Sequence, residues 1–345
     1  MKQTLRDFLC PQPKSKIKAG DGQLKGAYNF YTSSQIQSKF YHSATYTQPA
    51  LIFGTGGMAS VHYCNEPFST STDCLVMYGR LGAPLELIYY YLRSNMHLLQ
   101  DGFKGAGLQH ISKDYILNIN INMPAPSLQE QITHQMRLID AMINGKKQQI
   151  LSFDEAVKSR FIELFGDPVS NPKDWDVVPL GKRCGIITGN TPSRSEPENY
   201  GEYIEWIKSD NINTPFTFIS KAQECLSEAG FDKCRFVEAG SILMTCIAGS
   251  INCIGNVAVT DRRVAFNQQI NAIVPEQDEV LYLYWLMQLS KPMIHRTINM
   301  ALKGILSKSQ LSEIVFPFPP ITLQEQFVAF VEQTDKSKYY SITER

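Results

Sequence analysis

An excess of one charge sign is absent from this 345-residue chain: 33 Lys and Arg face 33 Asp and Glu, for a formal net charge of zero. That excludes a polybasic protein that grips phosphate by charge alone, but not a nucleic-acid reader with a local basic face. Long apolar runs are missing too. No stretch reaches the roughly 18 apolar residues of a membrane span, and the N-terminal MKQTLRDFLCPQPKSKIK lacks the apolar core of a signal peptide. A cytoplasmic protein without membrane association is expected. The eight cysteines (Cys10, Cys64, Cys74, Cys184, Cys225, Cys234, Cys246 and Cys253) include no CxxC pair, so neither a zinc site nor a disulfide framework is expected. The six histidines form no HxxxH or HExxH pair, so no metal is expected. There is no GxSxG elbow and no Asn-Pro-Pro-Tyr/Phe run of the kind used by adenine methyltransferases. Phe53-Gly54-Thr55-Gly56-Gly57 lacks both the P-loop ending and the full dinucleotide fingerprint, so a tight turn is its plainer reading. What is present is a 43% hydrophobic and 19% charged composition, sufficient for one large domain or two ordinary ones.

The chain also repeats itself. Ser112-Lys113 recurs as Ser307-Lys308, Pro124 as Pro319, and Leu128-Gln129-Glu130-Gln131 as Leu323-Gln324-Glu325-Gln326, each pair 195 positions apart. At the same offset Tyr89–Leu92 stands opposite Tyr284–Met287, and Gly54 opposite Gly249. The front of the repeat is out of this register. Leu5 pairs best with Leu180, an offset of 175, so the second copy carries about twenty extra residues before its centre. Each copy runs through a Gly-, aromatic- and β-branched-rich region, a helix-like aromatic segment, a small-residue loop, a β-like run and a proline turn into a helix. The β-like runs, Ile116–Met123 and Leu311–Phe316, are the clearest strand candidates. Shared ends with divergent fronts suggest one scaffold carrying two different reading surfaces.

The first of these helices is expected from Ser127, where Ser127 and Glu130 form a capping-box pattern that Thr322 and Glu325 repeat. Its apolar seam runs Ile132, Met136, Ile139, Ile143, Ile150, Phe153, Val157 and Leu164, interrupted by Lys146 and Arg160, with Leu128 ahead of it on the same spacer helix. A second helix packed along such a seam would bury it. Gly166 and Pro168 end it. The second helix, from Thr322 with at most 24 residues, has Leu323, Phe327, Phe330, Val331 and, weakly, Ile342 as its apolar positions and a polar last stretch, so it is the shorter partner. A plain surface helix on each domain is the alternative. The length of the bare stripe favours a spacer that holds two domains apart and offers a docking ridge.

Polar and basic residues cluster on glycine-rich loops. In the first copy they are Lys14, Lys16, Lys18, Lys25, Ser34, Gln35, Lys104, Gln109 and His110. In the second they are Thr191, Ser193 and Arg194, then Lys208, Ser209, Asp210 and Asn211, then Arg262, Arg263 and Lys303. Such groups suit DNA: Arg and Lys donate to guanine edges or phosphates, Asn and Gln pair with adenine edges, and hydroxyls position the backbone. Singly, each is more often an ordinary solvated residue. Residues 1–165 carry 16 basic and 12 acidic side chains and residues 166–345 carry 17 and 21, so general affinity for DNA is expected to be weak and a partner to supply much of the phosphate grip.

Together these segments resemble the specificity subunit of type I restriction–modification systems. The likeness is carried by Ile111–Gln131 and Ile305–Gln326, by Ser159–Pro168 (SRFIELFGDP), by Val178–Pro192 (VPLGKRCGIITGNTP) and by Gly240–Val274 with its Phe266-Asn267-Gln268. It implies an α+β fold: two mixed α/β target recognition domains joined by two long helices in an antiparallel coiled coil, with pseudo-two-fold internal symmetry. The corresponding boundaries are residues 1–126 and 175–321 for the domains, 127–166 for the central spacer helix, 167–174 for a linker and 322–345 for a short second helix. The resemblance further implies double-stranded DNA as ligand, each domain reading half of a split target. Modification subunits carrying S-adenosylmethionine and restriction subunits using ATP and Mg2+ are the implied partners, with no cofactor on this chain. Two rivals stay open: a structural scaffold joining other proteins through duplicated domains, and an enzyme with an unrecognised sugar or nucleotide pocket.

Overall fold

The computed structural model describes residues 3–343 apart from Ala106, Leu108, Pro215 and residues 299–303, and side chains as far as Asp335. The chain divides into two compact units, Met1–Gly145 and Lys146–Arg345, and the division falls inside one continuous helix, Pro126–Phe165. At 1.5 Å per residue its 40 residues measure about 60 Å.

Unit 1 is built on a four-stranded antiparallel sheet in the order Leu9–Pro11, Cys74–Gly79, Ala50–Gly54, Val61–Cys64. Every residue of Ala50–Gly54 is buried, as expected for a central strand written as a continuous apolar run. A smaller sheet holds Lys39–Tyr41, Tyr28–Tyr31 and Phe68–Thr70, with the last two parallel. The aromatic helix Leu85–Ser94 packs Leu85, Ile88 and Leu92 onto the larger sheet and contributes to a core with Leu51, Phe53 and Met77.

Unit 2 repeats the plan. Its antiparallel sheet runs Cys184–Thr188, Ile270–Pro275, Ile242–Thr245, Val257–Val259. Its second sheet has five strands around a parallel pair, Ile204–Ile207 with Val264–Phe266. The aromatic helix Val280–Leu289 lies 195 positions after its counterpart at both ends. The extra residues of the second copy fall mainly between the strands Ile204–Ile207 and Ile242–Thr245, where they form short helices, Ser209–Ile212 and Glu228–Asp232, and one added strand, Phe236–Val237, while Cys225–Leu226 pairs with Ile204–Ile207 as Lys39–Tyr41 pairs with Tyr28–Tyr31.

Hydrogen bonds explain why particular residues recur. The amide of Leu5 donates to the Ile119 carbonyl at 3.0 Å, and that of Leu180 to Ile314 at 2.9 Å. Ser112 Oγ accepts from the Tyr115 amide at 3.1 Å, and Ser307 Oγ from the Gln310 amide at 3.1 Å. Gln129 Nε2 donates to the Pro124 carbonyl at 3.0 Å, and Gln324 Nε2 to Pro319 at 2.9 Å. The repeated Ser-Lys, Pro and Leu-Gln-Glu-Gln are thus an N-cap, an acceptor and the amide that reaches back to it.

Three expectations need correction. The Ile116–Met123 and Leu311–Phe316 runs are not continuous strands: the helices Lys113–Leu117 and Lys308–Glu313 take their first residues, leaving strands only at Asn120–Ile121 and Val315–Pro317. The serine caps outweigh the alternating apolar pattern, because capped first turns satisfy amides that an edge strand would leave to water. The helices begin at Pro126 and Ile321, one residue ahead of expectation, so Ser127 and Thr322 lie within the first turn. Gly54 is not the counterpart of Gly249: it closes a central strand, whereas Gly249 lies in a loop beyond the matching strand. A Cβ on Gly54 would stand 2.2 Å from Ser60 Oγ and 2.8 Å from the Ser33 Cα, so packing requires glycine there.

The two long helices meet in unit 2. Phe327 packs its ring 5.4 Å from Phe161 and 5.6 Å from Phe165, while the Arg160 guanidinium lies 6.0 Å over Phe330. Positions fall in one helix as they rise in the other, so the pair is antiparallel. The expected α+β fold with contacting long helices is what the structure has.

Candidate nucleic-acid interface

In unit 1 the loop cations face solvent. Lys14, Lys16, Lys18, Lys25 and Lys104 are all exposed, as are Ser34, Gln35, Gln109 and His110. The structure brings Lys14 and His110 to one cleft, together with Gln12, Thr55 and Lys113. His110 is held there by its Nδ1, 3.0 Å from the Thr55 carbonyl, and by paired backbone bonds with Lys104. Gln35 Nε2 donates to the Ala59 carbonyl at 3.1 Å, and the His62 ring sits 2.8 Å from the Ser34 carbonyl. Burial lowers the His62 pKa below its ordinary value of 6.5, against the Ser34 hydrogen bond. The unit's ion pairs among the described residues involve Arg6, Arg93 and Arg137, not the loop lysines.

In unit 2 the candidates are tied down. The Thr188–Arg194 loop is anchored through Asn190, whose Nδ2 donates to the Lys233 carbonyl at 2.8 Å and whose Oδ1 accepts the Arg235 amide at 2.8 Å. Gly189 passes so close to the neighbouring strand that a Cβ would lie 2.2 Å from the Asn267 carbonyl. Thr191 bonds Gln268, and Ser193 Oγ pairs with Ser195 Oγ at 2.7 Å. Arg194 stacks over Tyr200 at 4.5 Å and Trp206 at 5.3 Å, and Lys208 lies 5.0 Å over the same Trp206. Both cations bond Glu224. Hydrogen bonding from Arg194 first, then Lys208, holds the Glu224 carboxyl below the ordinary glutamate value of 4.5.

The remaining second-copy candidates divide between solvent and internal duties. Asp210 is exposed. Asn211 is buried, its Oδ1 accepting the Lys208 amide at 3.0 Å and its Nδ2 donating to Ser220 and Lys221. Ser209 is half-buried, its hydroxyl cut off from solvent and without a partner among the described residues. Arg262 is bidentate to Glu205 at 2.7 and 2.8 Å, and Arg263 bonds Glu238 at 2.8 Å. Lys303 lies outside the described residues. Tyr200, Trp206 and Glu224 were not anticipated. Trp206 stands two residues before Lys208 in the sequence, a usable signal, but nothing local points across to Glu224.

The helix positions separate by depth. Val157 and Phe327 are fully buried, Leu323 and Phe330 half-buried against the same core. Ile132 and Met136 are half-buried beside Leu87, Tyr90 and Tyr91 of unit 1. Ile150 and Phe153 are half-buried, whereas Leu128, Ile139 and Ile143 are exposed, as are Leu138 and Met142. Two ion pairs fix the helix to the rest of unit 1: Arg137, bidentate to Glu86 at 2.8 and 2.7 Å, and Arg93, whose Nη1 lies 2.9 and 2.7 Å from the two oxygens of Asp140. Among the described residues no helix is long and apolar enough to cross a membrane, and no group of three His, Cys, Asp or Glu is placed to hold a metal ion.

Comparison with known proteins agrees with this duplicated plan. The model of the type I restriction modification DNA specificity domain matches residues 3–152 and again 172–344. The type I restriction enzyme HindI specificity subunit of Haemophilus influenzae is 34% identical over 117 residues, 32% of this chain and 24% of the relative. The MjaIX specificity subunit of Methanocaldococcus jannaschii is 30% identical over 176 residues, 48% of this chain and 38% of the relative. The chain therefore spans well under half the length of these curated relatives. In fold, the crystal structure of a type I restriction–modification system S subunit from M. genitalium is similar across 100% of this chain and 91% of that one, with a TM-score of 0.63 at 14% identity. With the family model covering both units, the chain belongs to the type I restriction modification DNA specificity domain family.

Proposed function

We propose that this chain is the DNA sequence-specificity subunit of a type I restriction–modification complex. Each unit reads one half of a split duplex target, and the long helices set the gap between the halves. The chain itself is non-catalytic. Modification subunits supply adenine methylation with S-adenosylmethionine, and restriction subunits supply ATP- and Mg2+-dependent cleavage, in the cytoplasm where the DNA is.

One observation carries the reading: the same structural bonds recur in both units while the solvent-facing loops differ. Leu5 and Leu180, Ser112 and Ser307, and Gln129 and Gln324 play matched roles. Exposed lysines on one unit and the Arg194–Trp206–Lys208 group on the other do not match. A scaffold kept twice with its surface changed twice is what reading two unlike half-sites requires. Mapping of methylated adenines after co-expression with the neighbouring modification subunit tests it. A split motif that disappears without this chain is the expected result. Absence of methylation from an assembled complex would instead favour a scaffold.

A further inference from the structure

The cations of the two units differ in one respect that composition hides. The exposed loop lysines of unit 1 form no ion pair among the described residues, whereas Arg194, Lys208, Arg262 and Arg263 of unit 2 are each matched by a carboxylate of their own unit. The strongest case is Glu224, a single carboxylate shared by two cations. Its backbone carbonyl accepts the Trp206 amide at 3.1 Å, which fixes it beside the ring on which both cations rest. Trp206 is 3% exposed, so the platform is rigid, while the Arg194 side chain remains 58% exposed and within reach of a ligand.

We propose that Glu224 occupies the place of a DNA phosphate between Arg194 and Lys208, and so suppresses sequence-independent binding by unit 2. This rests on the DNA-binding reading above and adds a specificity-determining residue to it. A phosphate must displace Glu224 to engage either cation, and the displaced carboxylate then repels it. Only a duplex that also satisfies neighbouring groups, such as Thr191 and Gln268, offsets that exchange. Arbitrary-sequence affinity then draws on cations outside this group, among them the unpaired lysines of unit 1.

The test is fluorescence anisotropy of the full chain, alone and with the co-expressed modification subunit, on a labelled duplex of arbitrary sequence across a salt series. Glu224→Gln is expected to bind roughly tenfold tighter at low salt, with the slope of log affinity against log salt steeper by about one, the signature of one more neutralised phosphate. The Arg194→Gln/Lys208→Gln/Glu224→Gln variant, which leaves no bare carboxylate, is expected to match the unaltered chain on that duplex. The Lys14→Gln/Lys16→Gln/Lys18→Gln triple variant is expected to weaken binding and flatten the slope. An unchanged slope for Glu224→Gln, where the unaltered chain binds, would overturn the role of Glu224 and leave the DNA reading standing. Weakened binding by the Arg194/Lys208/Glu224 variant would overturn it equally, and decides the matter if Glu224→Gln does not fold. Absence of binding in every arm would overturn the DNA reading itself, and this inference with it.

Discussion

Gln324 Nε2 lies 2.8 Å from Asp278 Oδ1, and both side chains are buried. The same carboxylate takes a bidentate pair from Arg183 at 2.9 and 2.7 Å, and Gln324 Oε1 accepts the Glu279 amide at 3.0 Å. One carboxylate thereby ties the C-terminal helix, the start of the aromatic helix and the turn before the first sheet strand. Unit 1 has no such centre among its described residues, and its helix is fastened by the surface pairs of Arg93 and Arg137. Asp278→Ala removes a buried carboxylate that accepts both N–H groups of the Arg183 pair and one from Gln324, and is expected to cost about 3 kcal/mol. Arg137→Ala, at the surface, is expected to cost much less. Urea unfolding of the two variants checks the contrast.

The thiols provide a second check on packing. Burial pushes the Cys184 and Cys246 thiols up to about 12 and the Cys74 thiol up to about 11, while Cys10 is exposed. Because the thiolate is the reactive form, brief alkylation of the native chain at pH 8 is expected to label Cys10 and spare these three. Labelling of all four in urea but only Cys10 beforehand, read by peptide mass spectrometry, is the expected pattern.

Acid acts on the two units at different pH. His62 in unit 1 has a folded pKa depressed below 6.5 by burial, so the unfolded chain takes the proton first. Its contribution to stability is full above about pH 6.5 and is lost as pH falls through the lower folded value. Glu205 in unit 2 is depressed below 4.5, chiefly by hydrogen bonds from Arg262. Its contribution is present above about pH 4.5 and disappears as pH falls through its own lowered value. Acidification is thus expected to weaken unit 1 first. His62→Gln should flatten the stability profile just below pH 6.5, and Glu205→Gln only below pH 4.5, in denaturant titrations at stepped pH.

Much of this architecture is legible in the chain because duplication writes it twice. The Ser-Lys and Leu-Gln-Glu-Gln repeats mark bonds that close each unit, and the aromatic helices keep one offset. Local alternation misled where a serine cap competed with it, at Ile116 and Leu311. The candidate interface is legible by residue type but not by partnership. Arg194 and Lys208 stand out in sequence, yet Glu224, which bonds both, arrives from a strand pairing that no spacing rule foretells. Asn211 has the chemistry of a base reader, and its hydrogen bonds are spent inside the unit.

The long helix yields the sharpest separation of folding from assembly. Leu138, Ile139, Met142 and Ile143 form an apolar group midway along it, 51%, 49%, 68% and 41% exposed. Phe161, by contrast, is fully buried against Tyr282, with ring centroids 5.6 Å apart. A charge placed at Ile139 or Met142 meets water and leaves the core untouched, so Ile139→Asp and Met142→Asp are expected to stay within about 0.5 kcal/mol of the unaltered stability. If this midsection docks the modification subunit, both variants lose co-elution with it in size-exclusion chromatography while keeping their unfolding midpoints. Phe161→Asp buries a carboxylate among aromatic rings and is expected to unfold unit 2 outright. Retention of the complex by Ile139→Asp and Met142→Asp together would move the docking ridge elsewhere on the chain.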